Sequence, residues 1–283
     1  MITYKNCAEV TMEEIFEAFS LGFSDYIIPL TMDQDAFAAR FFGPEGNALH
    51  LSFIVLDDLR PVGLILGGIR DFDGLRTMRC GTMCLGPDYR GQGVSQKLFD
   101  LHKAAAADAG CKQLFLEVIK GNDRAIRFYE KNGYSPVYSL KYYSGTVQSI
   151  KAPDAALPYT VKEISFDVLD AFRETLTDCH INWQSDTPYY ASSTREALLV
   201  VYDADRQVAM IAMSPIGKVN FLWVDPGYRN RGLGLLLLHK AAELQKIEKI
   251  SVCIPSNASL EGFLRKTNFG KDKIEQYEMY MPL

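Results

Sequence analysis

No apolar run in this chain is long enough to cross a bilayer. The longest, PVGLILGGI and GLGLLLL, fall well short of the roughly 20 residues a membrane helix needs, so no membrane partner is expected. The opening residues, MITYKNCAEV, lack the charged-then-apolar pattern of a secretory signal, and a cytoplasmic location is the expectation. Paired cysteine motifs are also missing. The six cysteines (Cys7, Cys80, Cys84, Cys111, Cys179 and Cys253) form no CxxC pair and have no histidine cluster beside them. That argues against a zinc site; no metal is expected, and the thiols read as buried and reduced. A basic excess is absent too. With 30 Lys and Arg against 35 Asp and Glu, the formal charge of −5 argues against non-specific nucleic-acid binding, which needs clustered cations.

What is present is the balance of a soluble globular protein, 48% hydrophobic and 23% charged, in 283 residues, enough for two domains. The first half alternates helical and strand signals. Thr11 to Glu14 is a capping box, followed by Met12, Ile15, Phe16 and Phe19 at helical spacing. A short helix over 35–42 stops at Gly43-Pro44, and strands follow in LSFIVLD, VGLILGGIR and TMRCGTMCL. Val94, Leu98, Leu101 and Ala105 then mark a helix, KQLFLEVI a strand, and Asn122 the cap of DRAIRFYEKN. After the polar, Pro- and Ala-rich stretch SGTVQSIKAPDAALP, the same order returns in shorter form. The expected organisation is therefore an internal duplication of a mixed α/β unit: a domain over 1–143, a linker over 144–158 and a second domain over 159–283.

One turn is written twice. Residues 87–95 read PDYRGQGVS and residues 226–234 read PGYRNRGLG, each after an apolar run and each opening an amphipathic segment. A Gly-rich turn between strand and helix presents first-turn N–H groups and the positive end of the helix dipole, which suits a phosphate. Arg90 and Arg229 add a charge-assisted donor. A Walker loop is excluded because no Gly-Lys-Ser/Thr follows, and a dinucleotide fingerprint because its last glycine is missing. A tight connection with no ligand is the bland alternative, and retention of Pro-x-Tyr-Arg in both copies weighs against it.

Arg-x-x-Gly-x-Gly/Ala after a strand, then Asn-x-x-Ala-x-x-x-Tyr-x-x-x-Gly-Phe about thirty residues later, resembles the GNAT superfamily of acyl-CoA-dependent N-acyltransferases. Arg90, Gly93 and Ser95 match the first part, with Ser95 standing where the family usually has Gly or Ala; Asn122, Ala125, Tyr129, Gly133 and Tyr134 match the second. Arg229, Gly232 and Gly234 match in the second half, and Asn257 and Phe269 match loosely. The resemblance covers nearly the whole chain as a tandem pair. It implies, for each half, a twisted, mostly antiparallel mixed sheet flanked by helices and splayed between its fourth and fifth strands. It also implies acetyl-CoA as cosubstrate. Its pyrophosphate would rest on Arg90, Gly91, Gln92, Gly93, Val94 and Ser95, or on Arg229, Arg231, Gly232 and Gly234. Backbone near Leu85 and Val224 would take the pantetheine, and Asn122 would complete the first site.

Acyl transfer to an amine needs a group to take the amine's proton and one to give a proton to the departing thiolate. In the first half the resemblance points to Glu117 as base and Tyr129 as acid; a solvated strand glutamate and a packed tyrosine are the bland readings. Counting from Asn257, the matching positions in the second half are Val252 and Leu264, which move no proton. The expectation is an active first domain, with Asp25 and Tyr26 as acceptor-pocket residues. The second domain would bind acyl-CoA without turnover or support the fold. The acceptor would be a small amine or a peptide N-terminus. A non-catalytic acyl-CoA-binding sensor or interaction protein is the alternative.

Overall fold

The computed structural model describes residues 1–28, 31–153, 157–176, 179–191, 193, 195–256 and 258–283. Asn257, one of the loosely matching positions, lies outside them. The described residues form two compact units, Met1–Val137 with Tyr277–Leu283, and Tyr138–Gln276.

In the first unit Thr11 starts α1 (Met12–Gly22) with a reciprocal cap. Glu14 N donates to Thr11 Oγ1 at 3.2 Å, and Thr11 N donates to the Glu14 carboxylate at 2.8 Å. Asp33 caps α2 (Gln34–Phe41) by accepting from Ala36 N. The strands are β1 (Ile2–Asn6), β2 (Phe53–Asp57), β3 (Arg60–Phe72), β4 (Leu75–Leu85) and β5 (Gln113–Ile119), with helices α3 (Val94–Asp108) and α4 (Asp123–Lys131). They order as β1-β2-β3-β4-β5, antiparallel except for the parallel pair β4 and β5. Successive residues of β2 point to opposite faces: Ile54 and Leu56 pack with Phe19, Phe37 and Phe41, and Val55 packs with Leu98 and Phe99. Both faces are covered, which is why these strands read as continuous apolar runs. On α3 the buried stripe is Val94, Leu98, Phe99, His102 and Ala106, one step round the helix from the expected Leu101 and Ala105.

The second unit repeats the plan. It contains β6 (Ser135–Thr146), most of which falls in this unit, β7 (Thr160–Glu163), α5 (Phe166–Glu174), the short α6 (Thr187–Tyr190), β8 (Ala197–Asp203), β9 (Arg206–Met213) and β10 (Lys218–Val224). α7 (Leu233–Gln245), β11 (Lys249–Ile254), α8 (Ala258–Lys266) and β12 (Gly270–Pro282) complete the chain. The order is β6-β11-β10-β9-β8-β7, again with one parallel pair, β10 and β11. Residues 144–158 fall within this unit's span, and Val147, Ile150 and Leu157 pack on its core. Through Gln276, β12 belongs to the second unit, whereas Met279 and Met281 lie in the first unit's core with Leu114 and Tyr134. No helix among the described residues is long and apolar enough to cross a membrane.

Candidate active site

Each sheet opens at its parallel pair. β4 and β5 pair from Thr77 with Gln113 to Arg79 with Phe115, and among the described residues no register joins them further. β10 and β11 pair only at Lys218 with Ser251 and Val219 with Val252. Just past each split the fourth strand bulges, with Gly81 in β4 and Asn220 in β10 as the residues that the neighbouring strand does not match. Each stands four residues before the strand end, Leu85 or Val224. A bulge turns the strand and releases backbone groups from the ladder. The freed edge therefore offers N–H donors to a carbonyl lying in the split.

The turn beyond each strand is built from the same parts. Arg90 Nε donates to Leu85 O at 2.9 Å and Arg229 Nε to Val224 O at 3.3 Å, so each arginine ties the strand end to the turn. Gly93 and Gly232 both hold φ of +82° as N-caps, and neither α3 nor α7 has a side chain capping its first-turn amides. Those amides stay available to an anion. Gln92 and Arg231 brace the turn instead of projecting from it: Gln92 Nε2 donates to Asp88 O and Arg231 to Gly227 O. Val94 is buried in the core, which leaves only its backbone for a ligand. Gly91 is exposed in a left-handed conformation, and Ser95 is half-buried. At Gly234 a Cβ would lie 3.0 Å from Phe263 Cζ, whereas in the first unit the aromatic three residues before α4 ends, Phe128, packs edge-on against Phe99. That contact accounts for glycine in one copy where the other has Ser95.

Tyr129 stands on α4 against β4. It is 9% exposed, and its hydroxyl lies beside the Cys80 thiol at the split. Burial, reinforced by Cys80, pushes this phenol well above the ordinary range, so it keeps its proton. Glu117 is placed differently from the expectation of a free carboxylate. Arg79 Nε and Nη2 both donate to its Oε2, at 2.9 and 2.6 Å, and Arg79 Nη1 donates to Glu45 Oε2 at 2.7 Å. The side chains of Arg79, Glu117 and Glu45 are each at most 4% exposed.

Asp25 and Tyr26, expected at the acceptor pocket, meet the residues expected at the donor turn. Asp25 forms a two-point ion pair with Arg90, at 2.6 and 2.7 Å, whose hydrogen bonds hold its carboxyl below the ordinary range. Tyr26 lies beside the Asn122 side chain, while burial raises its hydroxyl. Asn122 Oδ1 also accepts from Ala125 N, capping α4.

Two family models match: the acetyltransferase (GNAT) family over residues 12–134 and the acetyltransferase (GNAT) domain over residues 194–270. The chain is a tandem GNAT protein. A GCN5-related N-acetyltransferase from Sphaerobacter thermophilus superposes with a TM-score of 0.73 at 13% identity, covering 99% of this chain and 95% of that one. A tandem GNAT protein from the clavulanic acid biosynthesis pathway matches with a TM-score of 0.70 at 13% identity, over 100% and 98% of the two chains. The GCN5-related glucosamine N-acetyltransferase region of a fungal multi-domain GH3 beta-N-acetylglucosaminidase matches with a TM-score of 0.77 at 14% identity, over 99% of this chain and 38% of that one. No curated protein matches in sequence.

In the second GNAT domain the split holds an open cleft of about 670 Å³. It runs from Arg229, Gly232 and Gly234 along Val224 and Trp223 to Asn220, Ser185 and Asn182. A cleft of that volume is of the size that holds a small-molecule ligand. Arg229 has no carboxylate partner among the described residues, unlike Arg90. Val252 and Leu264, which stand where the first domain has Glu117 and Tyr129, are core residues at 4% and 0% exposure. Sequence reasoning missed Asn220 and His180 in this cleft. The one available signal was a polar residue inside the apolar strand KVNFLWV, which marks Asn220 as facing something other than core.

Proposed function

We propose that the chain is an acyl-CoA-dependent N-acyltransferase, moving an acetyl group from acetyl-CoA to a primary amine by direct attack, with the first unit carrying the transfer. The observation that supports this best is Tyr129, a protonated phenol held against the split strand, where the thioester sulfur of a donor seated on the Arg90 turn belongs. The residues present fit such a donor: uncapped amides after Gly93 and Gly232 for the pyrophosphate, and unpaired strand edge for the pantetheine. In the transfer the amine nitrogen bonds to the carbonyl carbon and the carbon–sulfur bond breaks; Tyr129 gives its proton to the leaving thiolate, and the proton lost by the nitrogen passes through water back to the Tyr129 phenolate. We assign Glu117 to hold Arg79, not to take the amine's proton, because its Oε2 already accepts two hydrogen bonds from Arg79 and its side chain is shut off from solvent.

The test is release of free thiol from acetyl-CoA across a panel of primary amines. Tyr129→Phe is expected to lower turnover by about a hundredfold, within the usual contribution of a general acid, with acetyl-CoA affinity unchanged. Unchanged turnover would remove Tyr129 from the chemistry. Thiol release with no amine by the wild-type protein, despite donor binding, would favour a non-catalytic acyl-CoA-binding protein. Val252 and Leu264 favour that second reading for the second unit's motif positions.

A further inference from the structure

The cleft of the second unit has two chemically different ends. At one lie Arg229 and the uncapped first turn of α7, which suit a phosphate. From there β10 leads inward past Val224, Trp223, Leu222 and Phe221 to Asn220, roughly 13 Å at the rise of a strand. The far end is closed by the turn Trp183–Ser185, which is held to the start of β10 by Lys218 Nζ donating to Gln184 O. Here the polar atoms change character. Ser185 Oγ and Asn220 Oδ1 are buried, at residue exposures of 3% and 7%, and among the described residues neither has a hydrogen-bond partner. Buried polar atoms left unpaired oppose folding, so a pair of them at the end of an open cleft points to a hydrogen-bonding ligand.

His180 lines the same cleft, two residues before Asn182. Its ring stacks face to face on Tyr138, with centroids 3.9 Å apart and planes at 6°, and this fixes the plane of the imidazole. Among the cleft-lining side chains it is the one imidazole, the group best suited to accept and return a proton near neutral pH. The other ionisable groups there are less suited. Lys151, Lys266 and Arg229 are cations, Tyr228 donates to Asp203 at 2.7 Å, and Cys179 and Cys253 are thiols.

We infer that the second unit is an acyl-transfer centre in its own right, with His180 taking the proton of an amine held at the Asn220 and Ser185 end of the cleft. This rests on the reading that an acyl-CoA donor occupies that cleft. The amine nitrogen bonds to the thioester carbonyl carbon and the carbon–sulfur bond breaks. The amine's proton passes to the His180 imidazole, which returns it to the departing thiolate. This centre needs neither a glutamate nor a tyrosine at the two positions that Val252 and Leu264 fill.

The full chain carrying Tyr129→Phe is the background for the test, since that change disables the first unit alone. With acetyl-CoA and the amine panel, this background is expected to keep about one per cent of wild-type turnover, carried by the second unit and consistent with the hundredfold fall expected above. Adding His180→Gln is expected to lower the remainder by at least about tenfold with acetyl-CoA affinity unchanged, and added imidazole to restore part of it in a His180→Ala version. Loss of all turnover in the Tyr129→Phe background, or equal turnover with and without His180, overturns the inference. A second readout needs no acceptor: carbethoxylation of His180 by diethyl pyrocarbonate, mapped by mass spectrometry, is expected to slow severalfold with acetyl-CoA present. An unchanged rate places His180 away from the donor and overturns the inference, whereas failure of acetyl-CoA to bind at all overturns the donor reading itself.

Discussion

Arg79 holds two carboxylates where water is excluded. Burial alone would raise the Glu45 carboxyl, and the Arg79 guanidinium beside it more than offsets that, leaving it below the ordinary range. Burial likewise opposes the charge on Arg79, and Glu117 and Glu45 outweigh it, raising its pKa. Removing one carboxylate therefore leaves a buried cation short of a partner. Glu117→Gln is expected to cost about 2 kcal/mol of stability in urea unfolding, the scale of a hydrogen bond to a charged group, and to leave the acidic limb of the pH–rate profile in place. A shifted limb with unchanged stability would restore Glu117 as the base. Glu117 and Tyr129 stand out in the sequence because their spacing resembles the GNAT pattern, and that pattern is local. It could not show that Glu117 faces Arg79, which lies 38 residues away, or that Asp25 reaches Arg90 across 65. Such pairs are set by how strands and loops pack, and no local pattern records them.

The twin turns act through the helices they open. Gly232 sits at φ +82°, where a β-branched side chain clashes with its own backbone, and this conformation aims the first amides of α7 at one point. Gly232→Val is expected to weaken acetyl-CoA binding in the second unit by more than about tenfold and to destabilise the fold by about 1–2 kcal/mol, measured by calorimetric titration and urea unfolding. Full binding in that variant would mean that the α7 amides do not hold the donor. Elements with strong periodicity were legible. The capping box of α1 stands as the sequence suggested. The short elements β1 and α6 were not, because five and four residues carry too little periodicity to separate from loop.

At the scale of the molecule, duplication was readable because it repeats a local pattern, and the two GNAT matches fall on the two copies. The partition of the last strand was not. Met279 and Met281 complete the first unit's core although more than 130 residues separate them from Leu114 and Tyr134, and strand pairing at such separation leaves no trace in composition. The polar stretch at 144–158 reads as a linker by composition, yet Val147, Ile150 and Leu157 within it are apolar anchors on the second core. Whether both turns hold an acyl donor is decided by calorimetric titration of the whole chain with acetyl-CoA. Two equivalents are expected per wild-type chain, falling to one in Gly232→Val. A single equivalent in the wild-type protein, or none, would contradict binding at both turns.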